Sequence, residues 1–213
     1  MADFEAARER MVERHIAGRG LTDPVLLGAF RDVPRELFVP AKEAPFAYDD
    51  SPLPIEAEQT ISQPYIVALM IALARVQPGH RVLEVGAGSG YAAAVIGRIA
   101  GSVVAIERHE LLARLAAERL ERIGAANVRI VHGDGSRGAP EAGPFDAIVL
   151  SAAATEVPGA LPCQLRTGGA LVMPLGAAND VQRLVRVTRT GVEAFRREEL
   201  GEVRFVPLIA GPA

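Results

Sequence analysis

The sequence predicts an α/β protein with a mostly parallel, doubly wound sheet that ends in an antiparallel hairpin and carries a helical extension at its N-terminus. Three observations support this. After residue 80, short apolar runs alternate with helical stretches: "RVLEVG", "YAAAVIGRIA", "VVAIE", "LLARLAAERLERIG", "VRIVHG", "FDAIVLSA" and "GGALVMPLG". Such alternation is the mark of βαβ units around a parallel sheet. The strand runs are apolar at consecutive positions, as expected where helices cover both sheet faces. Finally, "DVQRLVRVTRTGVEAFRREEL" alternates with period two around Thr190-Gly191, which predicts a hairpin instead of another crossover. With 213 residues there is enough chain for one sizeable core. The expectation is therefore a single domain over 1–213, in which 1–78 is the extension and 79–213 the sheet-bearing core.

The elements follow in order. Phe4, Ala7, Met11 and His15/Ile16 recur at three- and four-residue steps, so residues 3–17 should form a short amphipathic helix. "LTDPVLLGAF" predicts a second, with Thr22 or Asp23 as cap and Pro24 in the first turn, where a missing N–H costs nothing. From Asp32 to Pro54 prolines recur and periodicity vanishes, which reads as loop or extended chain on the surface. A helix then begins near Pro64, with Ser62 as its expected cap. In the helix from Glu110, Leu112, Ala116, Leu120 and Ile123 form one stripe, and Gly124 supplies the stop. "VRFVPLIAG" closes the chain as an extended segment.

Composition excludes several classes. A formal net charge of -3 gives no electrostatic reason to expect a nucleic-acid partner, whose affinity rests on a clustered basic face, and leaves only a local basic patch open. Lys42 is the only lysine, and Cys163, the only cysteine, allows no internal disulfide. No apolar run approaches the roughly 18–20 residues that cross a bilayer. His15, His80, His109 and His132 are scattered without ligand spacing, so no metal site is expected. These features fit a cytoplasmic protein, expected to be monomeric, with no membrane or nucleic-acid partner.

The chemistry is concentrated at strand ends. "VLEVGAGSGY" runs a strand into Gly86, Gly88 and Gly90 and then directly into a helix, whose free N–H groups face any ligand above. A nucleotide-like guest fits such a turn. The G-x-G-x-G spacing is one residue shorter than the pyrophosphate-seating G-x-G-x-x-G, which points away from a dinucleotide. About twenty residues on, "VVAIE" ends in Glu107, where a carboxylate can accept from both ribose hydroxyls. The third strand ends in "GDG", so that Asp134 could meet an adenine amino group or simply serve as a turn residue.

Together, the glycine loop, ribose acid and adenine acid resemble the class I S-adenosylmethionine-dependent methyltransferases, which have a Rossmann-like fold. Further stretches, "AYDDSPLPIEAEQTISQPYIV", "VHGDGSRG", "PFDAIVLSAAATEVPGAL" and "VRFVPL", are similar in order and spacing to the protein-L-isoaspartate O-methyltransferase family over roughly residues 21–207. That resemblance implies S-adenosylmethionine as donor, S-adenosylhomocysteine as product, and isoaspartyl-containing peptides and damaged proteins as substrates. It implies Ser62 as the catalytic residue. Donor-binding positions would be Glu84, Gly86, Ala87, Gly88, Gly90, Glu107, Arg108, Asp134 and Gly135. Thr60, Ile61, Gln63, Pro64, Ser151 to Ala154 (Ala152 and Ala153 foremost), Val206 and Pro207 would border the peptide.

Two departures from the family pattern stand out. Glu56 and Glu58 occupy positions where glycine and histidine are common, which bears on peptide preference, and Thr167 stands where proline is usual. Two other readings stay open at the level of sequence. One is a methyltransferase acting on a small molecule or RNA; the other is a module that binds an adenosyl ligand without turnover.

Overall fold

The computed structural model describes residues 3–177 and 180–211. Helix α1 (Phe4–Met11) continues into a π turn over Val12–Ile16, and α2 (Pro24–Asp32) is capped by Asp23, which accepts from Val25 N at 2.8 Å and Leu26 N at 3.2 Å. A two-stranded antiparallel ribbon, β1 (Leu53–Pro54) and β2 (Thr60–Ile61), precedes α3 (Pro64–Leu73). The core then runs β3 (Arg81–Val85), α4 (Tyr91–Ile99), β4 (Ser102–Glu107), α5 (Glu110–Arg122), β5 (Val128–His132) and β6 (Phe145–Leu150). It finishes with α6 (Ala160–Cys163), β7 (Leu165–Leu175), β8 (Gln182–Arg189) and β9 (Phe195–Val203). The sheet order is β5-β4-β3-β6-β7-β8-β9; the first five strands are parallel and the last two antiparallel. The predicted hairpin is thus present, closed by a five-residue connection in which Thr190 N and Gly191 N both donate to Ala194 O.

Successive residues on the central strands enter two different cores. Val103 and Ala105 face one, Val104 and Ile106 the other; Ala147 and Val149 alternate with Ile148 and Leu150 in the same way. Both faces are therefore dry, which is why the strands read as unbroken apolar runs. The expected helices cover only one face fully. On it lie α1 to α5, contributing Met11, Phe30, Ile71, Ile96 and Leu112. The second face is covered by α6 and by loop side chains such as Ala139, Ala142 and Val157. "GDGSRGAPEAGP" and "AAATEVPGAL" carry too many glycines and prolines for longer crossover helices.

Residues 32–54 depart from the surface connector predicted above. They form 3-10 turns at Arg35–Phe38 and Ala44–Phe46, and Val33, Arg35, Phe38, Val39, Ala47 and Tyr48 are buried. Phe38 and Phe30 both meet the Tyr91 ring edge-on, at 5.6 and 6.1 Å between centroids. The segment is an interior layer between the N-terminal helices and α4. Its outer side is tied down where Tyr48 and Arg8 converge on Glu36, with Arg8 Nε donating to Tyr48 Oη at 2.8 Å.

The chain between β1 and β2 is strained. Ala57 and Glu58 have φ of 55° and 57°, left-handed values that cost an L-residue about 1–2 kcal/mol and a glycine almost nothing. Glu58 is exposed. Glu58→Gly is therefore expected to raise the melting temperature by about 2–4 °C, net of the extra chain entropy that glycine brings to the unfolded state. A lower melting point in a thermal scan would mean that the Glu58 side chain contributes more than the strain costs.

Candidate active site

The carboxyl ends of β3, β4 and β5 meet around the glycine loop. Gly86 N and Ala87 N both donate to Ile106 O, at 2.9 and 3.1 Å, which folds the loop back over β4. Gly90 caps α4 at φ +87°, and a Cβ there would lie 3.1 Å from that of Ala116, so the turn needs glycine twice over. Glu107 braces the loop, accepting from Gly88 N at 2.7 Å through Oε2 and from His109 N at 2.8 Å through Oε1. A carboxylate offers about four acceptor sites, so two backbone bonds leave it able to take a diol. Gly135 lies so close to β3 that a Cβ would stand 2.4 Å from Val85 Cγ1.

Glu84, at the end of the same β3, is 1% exposed, and its Oε2 has no hydrogen-bond partner among the described residues. Burial, reinforced by the charge on Glu107, pushes its carboxyl up to about 8, with the Ser151 hydroxyl 3.4 Å from Oε1 pulling the other way.

The "TISQP" segment lies against this pocket. Pro64 is the first residue of α3 and Gln63 its cap position, with no side-chain capping bond. Ser62 is therefore not the cap predicted from sequence. Pro64 sets the start of the helix and leaves the Ser62 hydroxyl one residue too early to serve. The segment is held by other means. Arg35, fully buried, donates through Nη2 to Ser62 O at 2.8 Å and through Nε to Ala47 O at 2.7 Å, with its guanidinium 4.8 Å from the centre of the Tyr91 ring. Gln63 Nε2 donates to Asp50 O at 3.0 Å, and Arg19 stacks on Tyr65 at 3.4 Å.

Three cavities converge here. The first, bounded by Glu84, Gly86, Ala87, Gly88 and Tyr91, runs under Ile61 and Ser62. Beside it a second is lined by Glu107, Arg108, Gly135, Ala152, Val206 and Pro207. A wider third groove, of about 780 Å³, opens past Gln63, Ile66 and residues 202–207. Thr60 and Ser151 line all three. The two chain segments expected to border a peptide are zipped together, with Ala153 N donating to Val206 O and Leu208 N to Ala153 O, each at 2.7 Å.

Of the donor- and peptide-binding residues expected from sequence, five lie behind these walls: Gly90, Pro64, Ala153, Ala154 and Asp134. Asp134 accepts from Ser136 N through Oδ1 and from Gly211 N through Oδ2, each at 2.9 Å, and these bonds hold its carboxyl below the ordinary carboxylate range against the cost of desolvation. Arg108 Nη1 donates to the carbonyls of Ile209 and Gly211, at 3.3 and 2.9 Å. The tail thus forms one wall of the second cavity. Glu56 pairs with Arg119 of α5 at 2.9 Å, and neither Glu56 nor Glu58 lines the groove.

Residues 6–212 match the family described as protein-L-isoaspartate(D-aspartate) O-methyltransferase. The chain belongs to that family. Among its relatives, protein-L-isoaspartate O-methyltransferase 1 of Rhodopseudomonas palustris strain HaA2 is 56% identical over 206 residues, covering 97% of this chain and 84% of that one. A solved protein-L-isoaspartate O-methyltransferase superposes with a TM-score of 0.85 at 30% identity, over 94% of this chain; the chain spans 65% of that protein's length. A Plasmodium falciparum protein of the same description, solved with S-adenosyl-L-homocysteine, gives 0.81 at 25% identity over 98% of this chain and 99% of that one.

An isoaspartate methyltransferase depends on S-adenosylmethionine, and the residues present fit it. The unpartnered Oε2 of buried Glu84 suits the donor's ammonium group, and the spare acceptor sites of Glu107 suit its ribose hydroxyls. Arg35, which holds the Ser62 carbonyl from outside the cavities, is the supporting residue that sequence reasoning missed. Its signal lay in "VPRELFVP", an arginine inside an otherwise apolar, proline-bracketed stretch.

Proposed function

We propose that methyl transfer takes place where the donor cavity and the open groove share Thr60, Ser62, Ser151 and Phe205. That shared lining is the observation that carries the reading. The activity is that of protein-L-isoaspartate O-methyltransferase (EC 2.1.1.77), a repair methylation. S-adenosylmethionine supplies a sulfonium methyl, which becomes a methyl ester on the α-carboxyl of an L-isoaspartyl residue and leaves S-adenosylhomocysteine. The ester can cyclise to a succinimide and reopen partly as normal aspartate.

The side chains have divided tasks. Glu84 takes the donor's ammonium and Glu107 its ribose, while Gly86, Ala87 and Gly88 let the backbone come close; Gly135 borders the adenine side, and Asp134, behind that wall, holds it through Ser136 N and Gly211 N. Ile61, Gln63, Ala152, Val206 and Pro207 shape the peptide path. The acceptor carboxyl, with an ordinary pKa near ~4, is ionised at neutral pH and needs no general base. Alignment at about 3–3.5 Å remains, an effect worth roughly 7–11 kcal/mol. Opposite charges vanish in this step, so a cation gripping the carboxylate would stabilise the ground state more than the transition state. A neutral Ser62 hydroxyl suits the task. Arg35 stays on the far side of the Ser62 peptide and lines neither cavity.

Ser62→Ala is expected to lower kcat about tenfold, the worth of one hydrogen bond at ~1.4 kcal/mol, with donor affinity unchanged. Unchanged turnover would remove Ser62 from the mechanism. The reading as a whole is tested with labelled S-adenosylmethionine and two peptides that differ only in an aspartyl or isoaspartyl linkage. Ester formation confined to the isoaspartyl peptide supports it. Donor binding without transfer to either peptide would favour a different acceptor or a binding module.

Among the described residues no helix is long and apolar enough to cross a membrane. The proposal takes the chain as a cytoplasmic monomer acting as one domain, with 1–78 serving the substrate side and 79–213 the donor. A core shared by Met11, Phe38, Val82 and Tyr91 supports that unity.

A further inference from the structure

The groove beside Ser62 carries one uncompensated charge. Its lining holds two ionisable side chains, Glu202 and Arg204. Glu202 is matched by Arg183, its partner in the β8–β9 register, at 3.0 Å. Arg204 is exposed, and no described residue forms a hydrogen bond or ion pair with its guanidinium. Its backbone is nonetheless fixed. Val203 is buried at the end of β9, and Phe205 N donates at 2.8 Å to Oε1 of Gln182, a side chain that is itself fully buried.

A free guanidinium is thus presented from rigid backbone, next to Phe205, which belongs to both the groove and the donor cavity. The protein as a whole is negative, with a formal charge of -3, so its overall field works against acidic peptides. A local cation reverses that field in the groove. The Arg204 side chain is also far better suited to a carboxylate than to an uncharged flank, since its fork can donate to both oxygens at once.

We infer that Arg204 is a specificity-determining residue that makes this enzyme prefer isoaspartyl sites with a carboxylate close by in the chain, either a neighbouring Asp or Glu side chain or a chain terminus. The inference rests on the groove being the peptide site. A flanking charge does not change during methyl transfer, so the preference belongs in KM and not in kcat. Exposed ion pairs are modest, which sets the expected discrimination at about threefold to tenfold. Salt should erode it, because the pair is open to solvent.

The full chain is assayed with four isoaspartyl peptides. Three have both ends blocked and carry Glu, Gln or Lys beside the isoaspartyl residue; the fourth is the Gln peptide with a free C-terminal carboxylate. The expected result is a KM for the Glu peptide about threefold to tenfold below that of the Lys peptide at equal kcat, narrowing as salt is raised. A lower KM for the free-ended Gln peptide than for its blocked twin assigns the effect to a terminus as well as to a side chain. In Arg204→Gln the Glu and Lys peptides should converge, and in Arg204→Glu their order should invert. Equal KM values for all charges in the unaltered enzyme, or a preference that survives Arg204→Gln, would overturn the inference while leaving isoaspartyl methylation standing. Failure to methylate the blocked Gln peptide would instead strike the functional reading beneath it.

Discussion

Replacing Arg35 by methionine is expected to lower the melting temperature by roughly 6–12 °C and to cut kcat at least tenfold, with donor affinity largely kept. The thermal part follows from two bonds. Nε to Ala47 O and Nη2 to Ser62 O satisfy two main-chain carbonyls that methionine cannot reach with a donor, at about 1–3 kcal/mol for each group left unpaired. Removing a buried cation returns part of that, because burial already pulls the guanidinium down to about 10. A net loss of about 3 kcal/mol is the balance.

The kinetic part follows from what the second bond holds. Ser62 has no helix-capping bond, so its peptide is positioned by the Arg35 contact and by the neighbouring Gln63 to Asp50 bond. A shift near 1 Å at such a point can cost about a hundredfold in rate. Arg35→Lys keeps the charge but cannot donate in two fixed directions, and should fall between the two. Assays well below each variant's melting temperature separate the effects. A folded Arg35→Met enzyme with full kcat would show that Arg35 only stabilises the interior layer.

What sequence made legible, and what it did not, has a physical basis. The β3–α4–β4–α5 run could be read because each element is bounded by a residue the backbone requires there: the Gly86 to Gly90 turn and Gly124 with φ of +68° after α5. The β8–β9 hairpin showed through its period of two. By contrast, residues 32–54 are buried without any period, since 3-10 turns and prolines place side chains irregularly. An arginine there looks like a surface residue. The site divides the same way. Residues at strand ends could be read as neighbours because strand ends converge, but the bond from Gly211 to Asp134 spans 77 positions and leaves no local trace.

Glu84 is placed in the donor site by family resemblance alone, since within regular β3 it looks like any acid in a strand until its burial is known, and the largest pH effect is expected there. Its folded carboxyl lies near 8 against an ordinary 4.5, so between those values the folded state keeps a proton that the unfolded chain has released. Folding stability attributable to Glu84 is therefore intact below about pH 4.5, declines as pH rises, and levels off above about 8, a few kcal/mol lower at ~1.4 kcal/mol per unit. Glutamine resembles the protonated acid in shape and never ionises. Glu84→Gln should melt with the unaltered protein at pH 5 and roughly 5–10 °C above it at pH 9. Ligand binding should move the other way. If Glu84 meets the donor's ammonium, the glutamine variant loses the charge that the contact uses, and its Kd for S-adenosylhomocysteine at pH 7 should weaken about tenfold. A gain in stability combined with a loss in affinity would show that the buried acid is kept for binding at the expense of the fold. A constant melting difference at both pH values would mean that Glu84 does not titrate in this range, and an unchanged Kd would take it out of the donor site.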